Sequence, residues 1–155
     1  MTESIFEPDR AMEQARAQLD SIIEMVEHLE HSQECTCGGD REECELTLDL
    51  PAEDWKSYHD EDEALEAIHQ DPLSVLVRSD SWYSPGEAPP EPDEYEILLC
   101  TGGPAVRIIG DLDCNNQPKN ARMEFQDWGT SWEYYGTTSD EDKALLAYAQ
   151  VFCFD

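Results

Sequence analysis

Positive charge is what this 155-residue sequence has least of. Nine Lys and Arg, only three of them Lys, stand against 37 Asp and Glu, for a formal net charge of −28. The bases are scattered, and affinity for nucleic-acid phosphates comes from clustered Lys and Arg, so direct binding of DNA or RNA is excluded. Long apolar runs are missing too. No segment approaches the roughly 20 apolar residues of a membrane span, and an anionic surface is repelled by acidic lipid, so no membrane role is expected. The N-terminus, MTESIFEPDRAMEQ, has neither the basic start nor the apolar core of a secretory leader. That predicts a cytoplasmic protein whose six Cys stay reduced. No P-loop glycine pattern is present, and the negative field would repel ATP. Reactive thiols need electropositive surroundings, and with 37 carboxylates neighbouring pairs are inevitable. The expectation is a protein that is not an enzyme and carries no cofactor.

What is present is a foldable composition. Apolar residues make up 39% and aromatics 9%, which an acidic disordered tail would lack, and the length suits a single domain over residues 1–155 with one core. Solubility alone asks for a net charge of only about 2–8 in magnitude. Three readings of the excess compete: imitation of a nucleic-acid polyanion, adaptation to high salt, and a surface that is merely soluble. Duplex DNA carries one charge per ~1.7 Å, so −28 matches roughly 48 Å of duplex. A compact chain of this length has a radius of gyration of roughly 15 Å, which puts the two charge densities on one scale. Six Cys and the aromatic content fit the high-salt reading poorly.

Periodicity predicts an α+β fold: an antiparallel sheet of three to five strands with a long N-terminal helix, a short middle helix and a C-terminal helix. Residues 9–31 read as an amphipathic helix with Met12, Ala15, Leu19, Ile22, Val26 and Leu29 on one stripe. That stripe is either a core face or the seam of a homodimer, and the helix is the most separable part of the domain. CELTLDL (44–50) alternates as a strand. Asp60 caps a short helix with Leu65 and Ile68 inward, ended by Pro72. Strands follow at 73–78, 94–100, 105–110 and 121–128, with Thr101-Gly102-Gly103-Pro104 as a hairpin turn and 84–93 as a proline-rich loop. Thr138 to Glu141 starts the last helix, with Leu145, Leu146, Tyr148, Ala149 and Phe152 available for packing.

Three constellations could carry chemistry. His31, Cys35, Cys37 and Cys44 lie close in sequence and offer four Zn ligands, although H-x3-C-x-C-x6-C is not one of the usual zinc spacings; reduced thiols in a loop are the plainer reading. Phe125, Trp128, Trp132, Tyr134 and Tyr135 either pin a loop to the core or expose an aromatic anchor, and Trp82-Tyr83 forms a second such group. Carboxylates cluster without intervening bases at Asp60, Glu61, Asp62 and Glu63 with Glu53 and Asp54 nearby; at Glu87, Glu91, Asp93, Glu94 and Glu96; and at Asp111 and Asp113. Each cluster is either a solvated face or part of a partner-binding surface.

The C-terminal part, from GGPAVRIIGDLD and ARMEFQDWG through EDKALLAYAQVFCF, resembles a family of small acidic proteins encoded by phages and other mobile elements. The resemblance covers residues 94–155 and brings no catalytic residue with it. It implies a bacterial host and a setting in which anti-CRISPR and anti-restriction proteins mimic DNA to block host defences. The expected partner is then a basic, nucleic-acid-binding host protein or complex, met by the acidic clusters with Trp128, Trp132 and Tyr134 as anchors. The alternatives are a small metal-binding adaptor built on the Cys cluster, and a structural subunit joined through the N-terminal helix.

Overall fold

The computed structural model describes residues 8–34, 59–79, 81–88, 90–127 and 130–154. The strand expected at 44–50 lies outside them. The first helix, α1, spans Pro8–Glu34 and buries Ala11, Ala15, Leu19, Ile22, Val26 and Leu29. Met12, expected in that stripe, is 47% exposed instead. At about 100° per residue, the mean direction of the stripe passes roughly 40° from position 11 and 60° from position 12, so the smaller Ala11 takes the inward place. The stripe packs against elements of the same chain, so a dimer through α1 would have to use its other faces.

The second helix, α2, spans Glu61–Gln70. Asp60 caps it, its Oδ1 accepting the Glu63 N–H at 3.2 Å, and Glu61, Asp62 and Glu63 fill the first turn, where the helix dipole favours carboxylates. Ala64 and Ile68 are buried, with Leu65 half-buried beside them. The last helix, α3, spans Ser139–Ala149 behind a full capping box. Thr138 Oγ1 accepts from the Glu141 N–H at 3.2 Å, and Glu141 Oε1 accepts from the Thr138 N–H at 2.9 Å. After α3 the chain alternates, with Phe152 and Phe154 buried and Cys153 exposed between them. Cys153 therefore faces outward, although its apolar neighbours suggest a core position.

Between α2 and α3 runs a five-stranded antiparallel meander: β1 (Ser74–Arg78), β2 (Glu94–Cys100), β3 (Ala105–Asp111), β4 (Arg122–Gln126) and β5 (Glu133–Tyr134), adjacent in chain order. This is the expected α+β class, with the sheet at the upper end of the expected size. The strand β5 falls in a stretch whose Gly, Ser and Thr content reads as loop. It forms because Glu133 and Tyr134 pair with Phe125 and Glu124, and the Tyr135 N–H extends the ladder to the Met123 carbonyl at 2.9 Å. Tyr95, Ile97, Leu99, Val106, Ile108, Met123 and Phe125 alternate onto one sheet face and share a core with the buried helical residues. Helix α1 is the hub, touching α2, α3, β3 and β4.

The edge strand β1 is thinly covered, with Leu76 57% and Val77 45% exposed. None of the described helices is long and apolar enough to cross a membrane. Replacing Thr138 with Ala removes one half of the capping box and is expected to cost about 1 kcal/mol. Urea denaturation should show a lower midpoint at an unchanged slope.

Candidate functional site

Strand alternation sends a second set of side chains to the sheet face away from the core. Three of the six Arg gather there, each among acids. Arg107 donates from Nη1 to Glu96 and from Nη2 to Glu124, both at 2.7 Å, and its guanidinium carbon sits 4.1 Å from the centre of the Trp132 ring. Arg78 pairs with Glu94, its cross-strand partner, and Arg122 lies 3.8 Å from Glu124. A cavity of about 210 Å3 opens between these pairs, with Leu76 and Ile109 among its lining residues. This face is nearly charge-compensated. Trp132 is half-buried there as a lid on Arg107, whereas Tyr134 on β5 is 57% exposed. Of the remaining aromatic candidates, Phe125 is buried and Tyr135 packs edge-on against it at 6.2 Å between ring centres; Trp128 lies outside the described residues.

Apart from Glu96, which Arg107 engages on the outer sheet face, the acids expected in the second and third clusters meet at one end of the sheet. Glu94 opens β2 and Asp111 closes β3, and the two pair directly in the ladder. Asp93 joins them through its carbonyl, which accepts the Leu112 N–H at 2.8 Å, and its own N–H donates to the Arg78 carbonyl at 2.9 Å. The Asp113 carboxylate accepts the N–H groups of Asn115 at 2.8 Å and Gln117 at 3.0 Å, so it shapes the β3–β4 loop as well as charging it. The connection from β1 to β2 leaves the same end carrying exposed Glu87 and Glu91, with Trp82 fully exposed and Tyr83 55% exposed.

A clasp holds this end together. The Tyr95 hydroxyl donates to the Asn120 carbonyl at 2.6 Å. Asn120 in turn spans Asp111 with two bonds, accepting from its N–H at 2.9 Å and donating to its carboxylate at 3.0 Å. Burial pushes the Tyr95 phenol well above its ordinary range, so it remains a donor throughout the physiological range. Gly110 is required beneath the clasp: a Cβ there would stand 2.2 Å from the Asn120 carbonyl oxygen and 2.8 Å from the Tyr95 ring.

The first cluster belongs to the helical layer. Glu61, Asp62 and Glu63 are exposed at the start of α2, and Gln33 from the last turn of α1 reaches Glu61 at 3.3 Å. Acids outnumber bases on all three helices. Glu27, Glu30, Asp140 and Glu141 line a groove of about 300 Å3 between α1 and α3, over Ile23, Val26 and Ala144. The N–H of Thr138 and the guanidinium of Arg16 hold the Glu141 carboxyl below its ordinary range. Lys143 lines the groove as well, and the two acidic pairs, one from α1 and one from α3, meet only through the packing of the two helices. Glu53, Asp54, Cys35, Cys37 and Cys44 lie outside the described residues. Of the expected metal ligands His31 is described: it stands in the last turn of α1 with its Nε2 2.8 Å from Nε2 of His59. Among the described residues no group of three or more His, Cys, Asp or Glu could hold a metal ion.

Substituting Ala for Gly110 forces the clasp apart and is expected to destabilise the fold by about 1–3 kcal/mol, as overpacking does. Thermal unfolding would register the loss, and limited proteolysis should cut first in the 111–120 loop. No protein-family model, curated protein or solved structure matches the chain.

Proposed function

We propose that the chain is an inhibitory binding protein whose acidic surface occupies a nucleic-acid site on a host defence complex of the anti-CRISPR or anti-restriction kind. The observation that carries this reading is the convergence of two acidic loops at one end of the sheet beside exposed aromatic rings. Glu87, Glu91, Asp93, Glu94, Asp111 and Asp113 supply the charge, and Trp82 and Tyr83 supply apolar surface at the same end. A nucleic-acid site pairs basic residues with flat surfaces on which bases stack, so a mimic has use for both features together. The uneven spread of charge supports the same reading: Arg78, Arg107 and Arg122 offset Glu94, Glu96 and Glu124 on the outer sheet face, so the charge of this end rests chiefly on Glu87, Glu91, Asp111 and Asp113. Trp82 replaces Trp132 as the favoured anchor, because Trp132 is engaged by Arg107.

Electrostatic complementarity of this kind speeds encounter and makes affinity fall with salt. The test is retention of a host complex on the immobilised protein, with salt-stepped elution and competition by duplex DNA. Glu87→Lys with Glu91→Lys should lower affinity by roughly tenfold or more, with the loss shrinking as salt is raised. Trp82→Ala should cost about 1 kcal/mol or more at all salt concentrations. A parallel variant, Glu61→Lys with Asp62→Lys, reports on the helical layer and leaves the Asp60 cap intact. Retention that ignores both charge reversals, or that excess DNA does not displace, would remove nucleic-acid mimicry as the mechanism.

A further inference from the structure

The two edges of the sheet differ in how they are closed to further pairing. At one edge, β5 is two residues long and begins with the exposed Glu133, and short, charged edges resist the addition of a strand. At the other edge, β1 keeps an unbroken register with β2 from Ser74 to Arg78, and among the described residues β2 is its one strand partner. Its five residues, SVLVR, contain no Lys and no Pro, and its ladder has no bulge. The one charge in it, Arg78, pairs with Glu94. Leu76 and Val77 point to opposite faces, as neighbours in a strand do, and both are exposed, as is Leu73 just ahead of the strand.

The outer sheet face beside this edge has room for one more side chain. The register sets Leu76, Glu96, Ile109 and Arg122 in a single row across four strands, and the cavity of about 210 Å3 opens along that row, lined by all four. In an added strand, the residue opposite Leu76 would extend the row at about 4.5–5.5 Å between Cβ atoms. The Arg and Glu around the cavity offset one another, so the space beside Leu76 favours an uncharged aliphatic side chain. Val77 offers a second apolar contact on the other face. Past Arg78 the chain enters the connection that carries Glu87, Glu91 and Asp93, where basic residues would be attracted. Charge also selects the occupant. A second copy brings its own −28 and is repelled, whereas a segment bearing Lys or Arg is drawn in.

We infer that β1 is a docking edge for an extended segment of another protein, with aliphatic residues at alternate positions and Lys or Arg flanking them, which joins the sheet as an added strand. In this mode main-chain hydrogen bonds give affinity and the alternate side chains give specificity. The inference goes beyond the acidic-end reading and stands whether or not that end occupies a nucleic-acid site.

The test titrates the full chain with short labelled peptides in which Val or Ile alternates with Thr and Lys stands at both ends. Fluorescence anisotropy reads the affinity, and amide hydrogen exchange followed by NMR reads the place. Binding should slow exchange within residues 74–78. Methylating alternate backbone amides of the peptide, which blocks pairing at unchanged charge, should abolish it. Leu76→Lys should weaken binding at least about tenfold, the scale of losing an apolar anchor. Ser21→Lys adds the same charge on the exposed side of α1, and at physiological salt a lone distant charge is largely screened, so its effect should stay below about twofold. Circular dichroism checks that both variants remain folded. Absence of binding, undiminished binding of the methylated peptide, or equal losses from the two variants overturns the inference. Self-association through residues 74–78 at physiological salt would overturn it too, by giving the edge to a second copy.

Discussion

The buried stripe of α1 is the constraint on which the rest of the structure depends. Ala11 and Ala15 let the helix approach its neighbours closely, while Leu19, Ile22, Val26 and Leu29 fill the space between the sheet and the two shorter helices. Complete burial of one Leu or Ile is worth about 1.5–3 kcal/mol, and four large side chains of this kind lie on a single element. Neither α2 nor α3 would hold its place without it. With 10 and 11 residues both fall below the length at which an isolated helix is stable in water.

A net charge of −28 opposes compaction, and the fold absorbs it by position. No charged or polar residue is among the described buried ones. Many acids stand where a negative charge is locally favourable, in the first turns of α2 and α3 or within the cross-strand pairs of the outer sheet face. Three of the six Arg lie on that face, each touching an acid, and one of them also supports Trp132. Acidic charge is thereby left uncompensated mainly on the helices and on the loop end of the sheet.

Features encoded by neighbouring residues were legible in the sequence. The Asp60 and Thr138 caps, the β2–β3 hairpin around Gly102, and the strands at 94–100 and 105–110 are all local signals, and all took the expected form. What escaped depends on partners far along the chain. The strand β5 exists only because β4 offers it an edge. Ala11 displaces Met12 because of where the stripe points across the whole helix. Trp132 reads as an exposed anchor until Arg107 is seen beneath it, and His59 has no motif that ties it to His31. The candidate site divides in the same way. The acidic clusters could be named in advance, but the meeting of Asp93, Glu94, Asp111 and Asp113 needed the register of β2 on β3.

The thin cover over β1 has a colloidal consequence. An edge strand with Leu76 and Val77 exposed offers a template for pairing with another molecule, and two strands must come within about 4.8 Å to join. At physiological ionic strength the screening length is about 8 Å, so like-charged molecules still repel one another at that separation. In molar salt it shrinks to about 3 Å, and near the isoelectric point of about 4.1 the repulsion itself disappears. Dispersion of this protein in solution is therefore governed by its counterions as much as by its fold.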